Sequence, residues 1–134
     1  MPSGKRHYRL TLADALSAHD RALKLGGRPG IPNIGLVEAA IGRPYVGYYR
    51  SIRRKAAALV QSVATNHGFA DGNKRTATIL MLALLNKSGY DLKAIRGERD
   101  IQTAVEKMVL DVVTHKLGFE GLVQWFEARI RRMN

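Results

Sequence analysis

At 134 residues the chain has the usual size of one domain, and its 46% apolar share supplies a sizeable core without disulfides or metals. Cysteine is absent, which excludes a disulfide framework, thiolate catalysis and every cysteine-based zinc or iron–sulfur site, and suits a reducing cytoplasm. Lys and Arg number 22 against 11 Asp and Glu, a formal charge of +11 that points to an anionic partner.

Along the chain the predicted elements are helices. Thr11 and Asp14 form a capping-box pattern, Leu12, Ala15, Leu16 and Leu23 recur at helical spacing, and Gly26-Gly27 stops helix one. RPGIPN is a loop, Gly35 to Ile41 a short second helix, and Gly42-Arg43-Pro44 ends it before the irregular stretch YVGYY. Ser51 N-caps a third helix to about His67, with Ile52, Ala56, Leu59, Val60 and Val63 on one face. Arg53, Arg54 and Lys55 in its first turn oppose the helix dipole, a placement that solvent exposure or a bound anion explains.

The fourth helix, about Asn73 to Lys87, is apolar almost all round and therefore central. Its run Ile79 to Leu85 is the longest apolar stretch, far short of the ~20 residues that span a bilayer. The polar start MPSGKRHYRL has no signal-peptide core, so a soluble cytoplasmic protein is expected. Ser88-Gly89 ends helix four, Glu98 to Lys116 gives helix five, ended by Gly118, and Phe119 to Arg132 gives helix six. The expected fold class is all-α: a single domain over residues 1–134, built as a compact bundle of five to six helices round helix four.

Chemistry concentrates in His67-Gly68-Phe69-Ala70-Asp71-Gly72-Asn73-Lys74-Arg75-Thr76, between helix three and the start of helix four. Free N–H groups and the dipole make a helix N-terminus an anion site, and phosphate is the obvious ligand. Gly72 can adopt positive φ and curl consecutive amides into a nest, Arg75 can bind phosphate bidentately and Lys74 adds a point charge. Asp71 opposes an anion unless a cation lies between them, and Mg²⁺ shared with nucleotide phosphates is the usual solution. Asp71 as an N-terminal cap for helix four is a rival reading compatible with the first. Imidazole is the side chain in this loop whose unperturbed pKa lies near neutrality, so His67 is the natural general base for a hydroxyl nucleophile. The segment reads as phosphoryl-group transfer.

These residues resemble the signature of the Fic/Doc superfamily, H-x-F-x-[DE]-G-N-[GK]-R, with His67, Phe69, Asp71, Gly72, Asn73, Lys74 and Arg75 all in order. LTLADALSAHDRAL, GRPGIPNIGLVEAAIGRP and LLNKSGYDL extend the resemblance to the Doc branch up to about residue 92. It implies a nucleoside triphosphate such as ATP bound with Mg²⁺, His67 as the base, Asp71 as the metal ligand, and Gly72, Asn73, Lys74 and Arg75 as the catalytic phosphate cradle. Phe69 would anchor the loop. AMP-transferring relatives have Gly at the place of Lys74 and a second Arg at the place of Thr78. Both departures match the Doc branch, whose members resemble kinases. The resemblance further implies a type II toxin that arrests translation by phosphorylating elongation factor Tu, and a separate antitoxin protein that blocks the active site. No Ser/Thr-x-x-x-Glu-Gly inhibitory segment occurs in the chain. Pro44 to Tyr49 falls at the family's target-aligning flap, while Tyr45, Tyr48 and Tyr49 fit equally well as rim residues covering the core.

Fic-type AMP transfer is the alternative within the enzyme class. A basic nucleic-acid-binding domain is the alternative outside it, supported by Arg50, Arg53, Arg54, Lys55, Arg129, Arg131 and Arg132 but by no helix-turn-helix or RNA-recognition pattern. His7, His19 and His115 are expected to be surface or packing residues, and Trp125 with Phe126 to belong to the core.

Overall fold

Side-chain caps start four of the helices in the computed structural model, which describes residues 7–133 and so omits most of the polar start. Thr11 accepts from the Asp14 N–H and Asp14 closes the capping box ahead of α1 (Leu12–Leu23); Asn33 caps α2 (Ile34–Gly42). Ser51 caps α3 (Ile52–Thr65) and Asp100 caps α5 (Ile101–Val113). The remaining two, α4 (Asn73–Lys87) and α6 (Phe119–Arg129), begin on Gly72 and Gly118 with no side-chain cap.

The fold is all-α in its main body, as expected, with α4 at the centre against α1, α3 and α5. Thr76, Ala77, Leu80, Met81, Leu84 and Leu85 are its buried face, while Leu82 remains 36% exposed, so the helix is central without being enclosed. On α1 the inward residues are Ala15, Ala18, His19 and Ala22, and three alanines there let the two helices approach closely. Trp125 packs against the core and Phe126 is completely buried in it. Among the described residues no helix is long and apolar enough to cross a membrane.

Several helix ends differ from expectation, two of them for a tertiary reason. Helix six stops at Arg129 because Ile130–Arg132 (β2) pairs antiparallel with Tyr90–Leu92 (β1), a small sheet that periodicity does not reveal. Helix five starts at Ile101 because the Glu98 carboxylate accepts from the Ile95 N–H and pairs with the buried Arg129. Helix three ends at Thr65, leaving His67 in the loop.

Basic residues that suggested a nucleic-acid surface are largely engaged. Arg129 is buried on Glu98, Arg54 binds both oxygens of Glu120, Arg53 faces Glu127, and Lys55 donates to the Arg50 carbonyl. Pro44 to Tyr49 is also structural in part: a 3-10 turn (Arg43–Tyr45) seats the Tyr45 hydroxyl between the Tyr8 carbonyl and the Leu10 N–H. Tyr49 packs on Phe119 under Arg43, and Tyr48, beside Tyr49, is exposed.

The placement of α4 gives a stability test. Leu84→Ala, at a fully buried site, should cost about 2–5 kcal/mol in urea unfolding, and Leu82→Ala on the open face under about 1 kcal/mol. Equal costs would show that α4 is not the centre of the core.

Candidate active site

Beyond Thr65 the chain turns twice to reach α4. Asn66 ends α3, donating from its amide to the Leu36 carbonyl and accepting from the Gly68 N–H. His67 follows with φ +57, a left-handed conformation costing about 1–2 kcal/mol for a residue with a β-carbon. Strain of that kind persists where surrounding structure imposes it, and here it leaves the imidazole exposed on the wall of a cleft. Gly68 is pressed against α2: a β-carbon there would lie 2.8 Å from a Val37 methyl. Phe69 is buried, its ring stacked on His19 with centroids 3.9 Å apart. Asn73 closes the loop, accepting from the Phe69 N–H at 3.2 Å and donating to the Phe69 carbonyl at 2.9 Å.

Gly72, at φ +80, aims the start of α4 at the cleft. The first intrahelical bond runs from the Thr76 N–H to the Gly72 carbonyl, and no side chain caps the N–H groups of Asn73, Lys74 and Arg75 in front of it. Asp71 lies beside them, its Oδ1 accepting from the Gly72 N–H at 2.8 Å and its Oδ2 from the Arg28 N–H at 2.9 Å. Those two bonds, the Arg28 one first, hold its carboxyl below the usual carboxylate range, helped by the nearby charges of Arg28 and Arg75. Arg75 donates to the Gly26 carbonyl at 3.0 Å, and the Lys74 side chain is exposed without a partner among the described residues.

The cleft has a volume of about 530 Å³, and His67, Asp71, Gly72, Asn73, Lys74 and Arg75 all line it. Six residues named from sequence thus share one cavity, with Gly26 and Gly27 of the α1–α2 loop on its other side. Among the described residues no three carboxylates or imidazoles gather in a way that would cage a metal. A lone Asp71 carboxylate suits a hard cation that takes its other ligands from phosphate and water.

A family model described as the Fic/DOC family matches residues 9–85. A protein named Toxin Doc, from Mycolicibacterium smegmatis, is 34% identical over 106 residues, covering 75% of this chain and 78% of that protein. The chain belongs to the Fic/DOC family, in its Doc branch.

Two details of the Fic/DOC loop bear on the sequence reading. The Asn73 side chain is committed to Phe69, so its N–H is the part left for a phosphate. Pro44 to Tyr49, read equally as a flap or as rim residues, does not line the cleft; Gly26 and Gly27 do, tied to the Fic/DOC motif through Asp71 and Arg75. His19, expected as a surface or packing residue, is a packing one, and its signal in the sequence is an imidazole amid alanines at helical spacing. It packs under the loop, 6% exposed.

The depressed carboxyl of Asp71 makes stability pH-dependent. Its contribution is complete above the unfolded pKa of about 3.9 and is lost as pH falls through the lower folded value. Melting curves of wild type and Asp71→Asn should therefore be furthest apart above about pH 5 and converge as the solution is acidified below about pH 4. A separation independent of pH would show that the charge of Asp71 plays no part in holding the loop.

Proposed function

We propose that the chain is a toxin of the Doc type, a kinase that transfers the γ-phosphate of ATP to a hydroxyl of a protein target. Elongation factor Tu is the expected target, with arrest of translation in the cytoplasm as the consequence, and a separate antitoxin of a type II pair is the expected inhibitor. The observation that carries this is the start of α4: three N–H groups without a side-chain cap, two cationic side chains and an exposed imidazole around one cleft. Arg75 is tied to the Gly26 carbonyl, but two cations in a first turn, Lys74 without a partner among the described residues, are unfavourable until an anion is present. Similarity to the protein named Toxin Doc supports the toxin reading.

In the reaction, His67 accepts the proton of the target hydroxyl. The hydroxyl oxygen bonds to the γ-phosphorus as the bond from that phosphorus to the bridging oxygen breaks, and ADP leaves. Donors at the start of α4, with Arg75 and Lys74, stabilise charge on the phosphate oxygens in place, without reorganising. The residues present fit Mg²⁺: Asp71, kept ionised, would hold it through lone pairs its two hydrogen bonds leave free, and the ion would neutralise phosphate charge. Lys74 supports phosphate over AMP transfer. Where AMP-transferring relatives have Gly, this chain has a cation whose stem fills room and whose charge favours a phosphate at that end of the cleft. A formal charge of +11 also speeds encounter with acidic partners.

With γ-labelled ATP, Mg²⁺ and purified elongation factor Tu, wild type should label the factor, and His67→Ala should lower the rate by about 10²–10⁴-fold. A folded wild-type protein that transfers no label would refute the kinase reading. A mass increase equal to adenylate in place of phosphate would turn it to AMP transfer.

A further inference from the structure

His19 lies on α1, far from the motif in sequence, in a face whose other members, Ala15, Ala18 and Ala22, are at most 3% exposed. An imidazole buried in such a wall needs a partner for its polar atoms. It has one: His19 Nε2 is 2.8 Å from the Asp71 carbonyl oxygen. A carbonyl only accepts, so Nε2 carries the hydrogen. The ring itself lies flat against Phe69, the planes 8° apart, and a β-carbon at Gly72 would stand 3.6 Å from its edge. One side chain thus touches the loop at Phe69, at Asp71 and beneath Gly72, without lining the cleft.

The Asp71 carbonyl and the Gly72 N–H are opposite ends of one planar peptide unit. His19 grips the carbonyl end, and Asp71 Oδ1 grips the N–H end at 2.8 Å. Tilting that plane would turn the carboxylate with it and change the direction in which α4 starts. We propose that His19 is the positioning residue of the site. It orients the Asp71 carboxylate and the first donors of α4 through the Asp71–Gly72 peptide, and contacts neither nucleotide nor target. Its kinetic consequence rests on the phosphotransferase reading above; its structural consequence does not.

Two substitutions separate the donor from the ring: His19→Phe keeps the stack and removes the hydrogen bond, and His19→Gln supplies a donor without the ring. The readouts are the ¹H–¹⁵N resonance and hydrogen exchange of the Gly72 amide, the melting temperature, and kcat and KM for ATP. His19→Phe should melt within about 4–8 °C of wild type. Its Gly72 amide should shift and exchange faster, and kcat should fall about 10²-fold with little change in KM. His19→Gln should move the amide and kcat back toward wild type. A Gly72 amide unchanged in His19→Phe overturns the proposal, as does a kcat loss that persists in His19→Gln after its amide has returned. Should His19→Phe fail to fold, His19→Met is the donor-free variant, read the same way. If wild type transfers no phosphate, the functional reading falls, and the amide comparison alone decides the positioning role.

Discussion

A helix that starts on a left-handed glycine gives its first N–H groups to whatever lies ahead of it, and α4 is such a helix. Four other helices take a side-chain oxygen onto those donors, whereas α4 opens directly onto a cleft lined by its own Lys74 and Arg75. In isolation that start is poor, with uncapped donors, a dipole facing two cations and a strained His67 just upstream. The rest of the molecule holds it in place through the buried face of α4, from Thr76 to Leu85, locked between α1 and α3.

Holding the site is divided among three separate grips. Asn73 ties the loop to itself at Phe69, α1 reaches under it with His19, and the α1–α2 loop is bound to the cleft through Asp71 and Arg75. The last grip uses side chains that the proposed chemistry also needs. Arg75 spends a donor on the Gly26 carbonyl, and each oxygen of Asp71 already accepts one hydrogen bond. The proposed nucleotide would therefore meet Asp71 and Arg75 already oriented, which is the condition for electrostatic stabilisation without reorganisation.

Much of this is legible in the sequence because the signals are local. Thr11 with Asp14 announces the capping box, the apolar pattern marks α4 and its bounds, and the six cleft residues named from sequence fall within the short segment His67 to Arg75. What escapes is set by long-range pairing. The β1–β2 sheet, which ends helix six, joins two three-residue segments with nothing distinctive in either, and the ion pair of Glu98 with the distant Arg129 sets the start of helix five. His19 escapes for the same reason, since nothing on α1 says which carbonyl its ring will meet. Of the two readings of the aromatics in Pro44 to Tyr49, the structure agrees with packing residues at the rim of the core, since Tyr45 and Tyr49 pack on Tyr8, Leu10 and Phe119 and do not line the cleft.

The central claim is that the uncapped start of α4 is a receptor for phosphate, and titrating ¹⁵N-labelled protein with Mg²⁺ and ATP while following each amide tests it most directly. The account predicts saturable shifts largest at Asn73, Lys74 and Arg75, with Thr76, whose N–H is already bonded to Gly72, responding less. Unmoved resonances at those three residues, with nucleotide bound elsewhere or not at all, would contradict it.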